Sequence, residues 1–492
     1  MIDICTVAEV REAEEQAFAV LGDADAPDGG SLMQRAAAGL AGVIIDSLHE
    51  LRVGTYGARV LVLAGGGNNG GDALYAGLRL ARRGVRVLVC RVAEKVHAGG
   101  WQACLTAGVV EVDPGAAIEL IMSGGADVVV DGVLGIGGRS GLTGVAAELA
   151  GACVAARAYV IAVDLPSGLA ADLPGAADSA FRADRTVTFG AHKLCQYGEP
   201  AASACGRVTM IDIGLTTRPG VVQWEPADVA HCWPVPGPTD DKYSRGVVGI
   251  DTGSDAYPGA GLLSTLGAVY AGAGMVRFLG ASHPRELIMG TLPNVVHAPG
   301  RVQAYVLGSG WGERADGDRV VADAVDAGVP VVLDADGLRH LPTGRVAVPL
   351  LLTPHAGELA RLLDTDRHEV EADPITAVRA AVDATGATVL LKGATQYVAG
   401  PDTDTTALAV PGPAWTAQAG SGDVLAGICG TLLAAGLSPA TAALAGASLQ
   451  AMTAVANPGP YPPHELARTL PATIAELVPP EHRVNDNRTR QE

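Results

Sequence analysis

The sequence predicts two successive α/β domains, the first of them doubly wound. Apolar strands recur at regular intervals with helical stretches between them, and the chain is longer than one compact core serves. Of its 492 residues 48% are hydrophobic, only 4% are aromatic and 65 are glycine. That mixture suits small-residue helices packed on Val/Leu/Ile strands. Domains of over about 200 residues each bury a full core, so residues 1–220 and 221–480 are the natural division, followed by a polar tail at 481–492.

The elements follow in order. Thr6-Val-Ala-Glu9 and Ser31-Leu-Met-Gln34 are capping-box patterns, and each opens a helical stretch, through Leu21 and through Leu48. Ala58–Ala64, Val85–Cys90, Asp127–Val133, Ala158–Val163 and Arg185–Phe189 read as buried parallel strands, with helices such as Ala73–Arg83 between them. From Ile213 the texture changes. Thr216–Gly220 and Trp233–Pro238 are proline and glycine punctuation, where a linker is expected. A second series runs through Gly246–Asp251, Val302–Leu307, Pro330–Asp334, Leu350–Thr353 and Thr388–Leu391.

Charge and cysteine usage exclude several classes. Fifty-three acidic against 34 basic residues give a formal charge of −19, with no Lys/Arg run, so nucleic acid is not an expected partner. The eight cysteines are scattered without a C-x-x-C pair, and the N-terminus lacks a signal-peptide pattern, which together predict a reducing cytosol. Residues 424–464 carry no Asp, Glu, Lys or Arg but are broken by Gly, Pro and hydroxyl residues. They fall short of the about 20 apolar residues a membrane span needs, so buried helices are expected and no membrane partner.

The most informative stretch is Ala419-Gly-Ser-Gly-Asp-Val-Leu-Ala-Gly427, a glycine turn running into an apolar helix. Helix N-termini offer unpaired N–H groups and partial positive charge, so Gly420, Ser421 and Gly422 suit a phosphate. A carboxylate there repels that phosphate, which directs Asp423 to a neighbouring hydroxyl and its proton. Taken alone, a G-x-G-D turn is as readily a helix start. Its company weighs more: Leu307–Gly312, Asp334–Leu338, Thr353-Pro-His-Ala-Gly-Glu358 and Leu391-Lys-Gly-Ala-Thr-Gln396 each follow a strand, so the series lines one sheet rim. Singly, His355 reads as a turn or core histidine and Lys392 as a solvated charge, although an ammonium leaving a buried strand before a glycine is well placed for phosphate.

In the first half, strand residues 59–63 empty into Ala64-Gly-Gly-Gly-Asn-Asn-Gly-Gly-Asp72. Gly65, Gly67 and Gly70 satisfy G-x-G-x-x-G, so a dinucleotide pyrophosphate site is the obvious reading. Against it, Asp72 sits where that pyrophosphate would rest, and the next strand ends in Cys90-Arg91 rather than an acidic ribose ligand. An arginine there favours a 2′-phosphate instead, so the reading is weakened, not removed. Asp131–Gly141 and Asp164-Leu-Pro-Ser-Gly168 add two more strand-end loops with aspartates. Each aspartate alone is more often a turn residue; together with Asn69 they supply oxygen ligands for a hard cation and carboxylates for acid/base work.

With Asn68–Asp72, Asp131–Gly137 and Asp164–Gly168 in this order, the first 215 residues resemble the epimerase domain of NAD(P)H-hydrate repair proteins. The resemblance implies a Rossmann-like fold that interconverts the R and S forms of hydrated NADH or NADPH. It implies that Asn68, Asn69, Gly70, Gly71, Asp72, the loop Gly135, Ile136, Gly137, Gly138, Arg139, Ser140, Gly141, and Asp164 bind the hydrated nucleotide. It also implies that Asn69, Asp131 and Ser167 hold potassium, with Asp131 and Asp164 as candidate catalytic carboxylates. Residues 225–480 resemble the ribokinase-like NAD(P)H-hydrate dehydratase domain, in which ADP, or ATP in some relatives, phosphorylates the S-hydrate hydroxyl and phosphate loss restores the nicotinamide. Carried over, Ala260, Gly310, His355 and Asp423 contact the hydrate. Lys392, Gly393, Ala394, Thr395, Gln396 and Gly422 contact the adenosine phosphate, and Asp423 is the general base. Ser309 and Trp311 depart from the common G-P-G-L-G loop, and Asp255 and Pro258 from the loop before Ala260.

The expectation is a cytosolic repair enzyme, a homo-oligomer with two sites, using ADP as co-substrate with magnesium, and potassium in the first half. A ribokinase-like vitamin kinase with a nucleotide-binding first domain is the nearest rival. A non-catalytic NAD sensor is the third class, and Asp423 and Lys392 speak against it.

Overall fold

The computed structural model describes residues 1–22, 30–342, 344 and 346–478. The chain divides into two compact units, one spanning Asp3–Gly220 and the other running from Val221, with Met1–Ile2 grouped with the latter. The expected tail at 481–492 lies outside the described residues.

After a short strand β1 (Ile2–Ile4), the first unit opens with the helices Val7–Leu21 and Gly30–Glu50. Thr6 caps the former as expected, its hydroxyl accepting from the Glu9 N–H at 3.2 Å while Glu9 Oε2 accepts from the Thr6 N–H at 2.6 Å. Ser31 does not cap the latter: that helix already includes Gly30, so Ser31 lies inside its first turn.

The strands are β2 (Arg59–Ala64), β3 (Arg86–Arg91), β4 (Val110–Val112), β5 (Val128–Gly132), β6 (Val160–Val163), β7 (Arg185–Phe189) and β8 (Arg207–Ile211). They form one sheet in the order β4-β3-β2-β5-β6-β7-β8, parallel throughout. Both faces are covered. Val60, Val62, Val128 and Val130 join one apolar cluster and Leu61, Leu63 and Val129 another, which is why these strands read as continuous apolar runs. Strand order reverses between β2 and β5, the crevice where open α/β sheets gather ligands. There the backbones meet closely: the Gly65 N–H donates to Gly132 O at 3.0 Å, and a Cβ on Gly65 would fall 1.9 Å from Val133 O. Only glycine fits.

The second unit contains β9 (Val221–Gln223), β10 (Val247–Asp251), β11 (Met275–Phe278), β12 (Ala304–Leu307), β13 (Val331–Leu333), β14 (Leu350–Leu352), β15 (Thr388–Leu391), β16 (Tyr397–Ala399) and β17 (Thr406–Leu408). Their order is β9-β17-β16-β15-β14-β13-β12-β10-β11. The run β15-β14-β13-β12-β10-β11 is parallel, while β16 is antiparallel to both neighbours. The helices Ser421–Ala434 and Pro439–Ala456 fill the core with their alanine, leucine and glycine faces. Among the described residues no helix is long and apolar enough to cross a membrane. Close packing needs small residues here: a Cβ on Gly427 would fall 2.0 Å from Ser264 O, and one on Gly267 2.1 Å from Val424 O.

Thr216–Gly220 and Trp233–Pro238, where the linker is expected, carry no helix or strand, but the chain between them is structured. Val221–Gln223 is a strand, with Val221 and Gln223 buried, and Pro226–Cys232 is a helix. Three residues carry too little periodicity to be seen in sequence.

Candidate active sites

In the first unit the helix Asn68–Ala81 begins on the glycine loop itself, capped by Gly67, five residues earlier than expected. Asn69, Gly70, Gly71 and Asp72 are therefore its buried first turn, while Asn68 stays exposed. Two polar atoms there are buried without a partner among the described residues, Asn69 Nδ2 and Asp72 Oδ1. Buried polar groups are rarely left unpaired outside functional sites. Burial, then the charges of Asp164 and Glu14, push the Asp72 carboxyl well above its ordinary range.

Asp164, beyond β6, has φ +68°, a left-handed conformation rare for a residue with a side chain. Its Oδ2 accepts from the Ile136 N–H at 3.2 Å, and its Oδ1 accepts from Lys193 Nζ at 2.5 Å and the Thr188 hydroxyl at 3.2 Å. Lys193 is 1% exposed and also donates to Thr188 Oγ1 at 2.8 Å. A Cβ built on Gly135 would lie 3.0 Å from Asn69 Oδ1 and 3.2 Å from Asp164 Oδ2, so Asn69, Gly135 and Asp164 share one corner. The loop from Gly135 carries Ile136, Gly137, Gly138, Arg139, Ser140 and Gly141 over the carboxyl edge of the sheet. It turns through a Gly138 N–H to Gly135 O bond of 2.8 Å and rejoins at Gly141, whose N–H donates to Gly168 O at 2.8 Å. Gly137, Arg139 and Ser140 are exposed.

Asp131, the penultimate residue of β5, is 0% exposed. Its carboxylate accepts from the Ser167 hydroxyl at 2.6 Å, the Ser167 N–H at 2.8 Å and the Val133 N–H at 3.2 Å. Burial pushes it up to about 6 against the pull of those donors, and no cation among the described residues neutralises it. A buried carboxylate beside a hydroxyl and carbonyl oxygens is a donor set that fits a hard monovalent cation. Asn69 Oδ1 adjoins Gly135 and Asp164.

Sequence reading missed two charged groups here. Lys193 is set among apolar neighbours in Ala191-His-Lys-Leu194, and such a lysine needs a buried partner. Glu14 lies on the first helix, where nothing in its spacing distinguishes it from its acidic neighbours; burial and the Asp164 charge raise its pKa.

In the second unit Asp423 occupies the first turn of the helix Ser421–Ala434, capped by Gly420 at φ +94°. Burial, then the neighbouring Asp334 charge, push Asp423 up to about 7 against the pull of Lys392. A Cβ on Gly422 would lie 3.1 Å from Lys392 Nζ, so lysine and glycine turn meet. Lys392 itself follows β15, and its N–H donates to Pro354 O at 2.8 Å beside His355. Gly393, Ala394, Thr395 and Gln396 form the connection to β16, the first two exposed and the others half-buried.

His355 caps the helix Ala356–Leu363. Its Nδ1 accepts from the N–H groups of Gly357 at 3.0 Å and Glu358 at 3.3 Å, which puts any proton on Nε2, 3.3 Å from Glu358 Oε1. Ala260 and Gly310 adjoin, since a Cβ on Gly310 would fall 2.5 Å from that of Ala260. Leu263, on the helix of Ala260, similarly abuts Gly420. These contacts link Gly310, Ala260, the Gly420 turn, Lys392 and His355 around one rim.

The two unusual loop residues face inward. Ser309 is fully buried and donates to Asp334 Oδ2 at 2.7 Å. Trp311 donates its indole N–H to Asp251 O at 2.9 Å, under the guanidinium of Arg314, which pairs with Asp251 at 2.6 Å. Asp255 is exposed beyond β10, and Pro258 opens the helix that carries Ala260.

The molecule thus joins two nucleotide-type α/β units, each with acid/base groups gathered at the carboxyl edge of a parallel sheet. Residues 29–195 match the family described as YjeF-related protein N-terminus, and residues 248–472 the family described as NAD(P)H-hydrate dehydratase. The chain is 41% identical over 451 residues to the bifunctional NAD(P)H-hydrate repair enzyme Nnr of Mycobacterium tuberculosis, covering 89% of this chain and 90% of that protein. To the enzyme of the same name from Mycobacterium leprae it is 41% identical over 471 residues, covering 92% and 94%. An ADP/ATP-dependent NAD(P)H-hydrate dehydratase from Bacillus subtilis, co-crystallized with ATP/Mg2+, superposes with a TM-score of 0.49 at 24% identity, covering 52% of this chain and 99% of that one. The chain belongs to the family of bifunctional NAD(P)H-hydrate repair enzymes. It is an enzyme with an epimerase half and a dehydratase half.

Proposed function

We propose that the first unit interconverts the R and S hydrates of NADH and NADPH, and that the second dehydrates the S-hydrate at the expense of ADP. The meeting of Lys392, the Gly422 turn and Asp423 is the observation that carries this reading. Asp423 takes the hydrate's hydroxyl proton as that oxygen bonds to the terminal phosphorus of ADP, and the bond to AMP breaks. The ring nitrogen's lone pair then expels phosphate, and a proton lost from the neighbouring carbon restores the reduced nicotinamide. A base poised near neutrality suits the first step. The Lys392 ammonium and the N–H groups at Gly422 stabilise charge on the transferring phosphoryl group. Ala260, Gly310 and His355 orient the hydrate, and Lys392, Gly393, Ala394, Thr395, Gln396 and Gly422 hold the nucleotide.

In the first unit the hydrate rests on residues 68–72 and 135–141 with Asp164. Inversion requires the carbon–oxygen bond to break and re-form on the opposite face, with a proton supplied to the leaving hydroxide and later taken from water. The buried carboxylates Asp72 and Asp164, the latter paired with the Lys193 ammonium, suit that exchange. Asp131 and Ser167, with Asn69 at the adjoining corner, would hold potassium, which supplies positive charge next to a buried carboxylate. Magnesium enters as the nucleotide complex, as it commonly does with phosphates. The eight free thiols, seven of them buried, support a reducing cytosol.

Purified R-hydrate, assayed with and without ADP and magnesium, tests both halves. The reduced-nicotinamide absorbance returns only with ADP, whereas the S-hydrate forms without it. Failure of both signals overturns the reading.

A further inference from the structure

Four neighbouring parallel strands of the second unit each deliver one polar group just beyond their carboxyl ends: Ser309 after β12, Asp334 after β13, Thr353 after β14 and Lys392 after β15. The other three side chains converge on the Asp334 carboxylate. Asp334, 1% exposed, accepts from Ser309 Oγ on Oδ2 at 2.7 Å, and on Oδ1 from Thr353 Oγ1 at 2.8 Å and from Lys392 Nζ at 2.5 Å. Ser309 and Thr353 are 0% and 1% exposed, so the hydroxyl donors are as buried as the acceptor. We infer that Asp334, pinned by Ser309 and Thr353, is a positioning residue that sets the Lys392 ammonium against the Gly422 turn for phosphoryl transfer.

A lysine ammonium is a point charge on a flexible four-carbon stem, and holding it at one place costs rotamer freedom. Asp334 supplies a fixed anchor, because both of its oxygens are already oriented by hydroxyl groups and a buried network of this kind is electrostatically strong. The arrangement leads from the anchor to the ammonium and on to the glycine turn, where Lys392 Nζ lies 3.1 Å from the position of a Gly422 Cβ. Ser309 matters especially, since it stands where the resembling G-P-G-L-G loop has no hydroxyl. The charged groups around Lys392 are Asp334, Glu358 and Asp423, and those around Asp423 are Asp334 and Lys392. Burial disfavours the charged lysine, and these carboxylates outweigh it.

The inference rests on the ADP-dependent reading of this site, and the test separates the two. ADP-dependent dehydration of S-hydrate is measured for the full chain, Asp334→Asn and Ser309→Ala. Asp334→Asn lowers kcat by roughly 100-fold, the scale of a misplaced catalytic group, and Ser309→Ala by less. In Asp334→Asn the acidic limb of the pH–kcat profile moves to lower pH, because Asp423 loses a negative neighbour and Lys392 is free to pair with it. The urea midpoint of the second unit's own transition, compared with that of the natural chain, reports that the mutated unit is folded in the same preparations. A purely structural role predicts a lowered urea midpoint of the second unit with kcat and KM for ADP unchanged in the folded protein, and that result, or a Ser309→Ala enzyme with unchanged kcat and KM for ADP, overturns the inference. A full chain with no ADP-dependent dehydration overturns the underlying reading instead, and the inference with it.

Discussion

The ammonium of Lys193 lies 2.5 Å from Asp164 Oδ1, with 2% and 11% of the two side chains exposed. An ion pair this dry rests on a backbone at φ +68°, so the first unit maintains a costly charge arrangement at the end of β6. Buried ion pairs are seldom retained for stability alone. The other carboxylate oxygen, Oδ2, accepts from the Ile136 N–H and faces Gly135, beside Asn69.

Lys193→Met leaves Asp164 buried without its cation, and breaking a buried pair from one side costs about 3–5 kcal/mol. Urea unfolding of the variant is expected to show a destabilised first transition. R-to-S epimerisation falls with it, whereas dehydration of purified S-hydrate persists. Equal loss of both activities argues against separable sites.

Asp423→Asn keeps the shape of the helix start but removes the proton acceptor. General-base contributions are about 10²- to 10⁴-fold, so ADP-dependent return of the reduced-nicotinamide absorbance drops by that range while epimerisation of R-hydrate continues. A variant dehydrating at the unaltered rate assigns the proton to another group.

The two-unit fold was legible because β2, β6 and β14 are buried on both faces and read as apolar runs. What escaped were strands such as β4, β11 and β16, three or four residues each, and the strand and helix between the expected linker stretches. Sites followed the same logic. Strand-end loops with Asp131, Asp164, Lys392 and Asp423 stand out locally. The anchoring partners do not: Lys193 meets Asp164 across 29 residues and Asp334 meets Lys392 across 58, and such pairings belong to sheet order rather than to any local pattern. Ser309 and Trp311, which depart from the common loop pattern, anchor the base of their loop through Asp334 and Asp251.

The pH dependence of dehydration has a defined sign. Asp423 is raised to about 7 and must be ionised to accept a proton, so kcat falls as pH drops below about 7. Stability runs the other way. A folded-state pKa above the unfolded value contributes stability that is fully present below the unfolded pKa and is lost as pH rises through the folded one. Asp423→Asn is therefore expected to be more stable than the natural chain at pH 8, with the difference vanishing well below pH 4. Urea midpoints at the two pH values, set against the pH–kcat profile, check both signs; a variant no more stable at pH 8 contradicts the buried, charged base.

Asp131 carries the last prediction. Its carboxylate is fully buried and held by Ser167 and Val133 donors, without a cation among the described residues. An uncompensated buried charge is costly, so a bound cation favours the folded first unit. Ligands that bind only the native state stabilise it by RT ln(1 + [L]/Kd), about 2.7 kcal/mol at 100 times Kd. Potassium chloride is therefore expected to raise the first unit's unfolding midpoint above that in choline chloride of equal ionic strength, at fixed pH. Asp131→Asn removes the charge that would hold the ion, and its midpoint is expected to be the same in both salts. A natural chain indifferent to the exchange, or a variant still responding to potassium, moves the cation away from Asp131 and leaves that buried carboxylate to acid/base work alone.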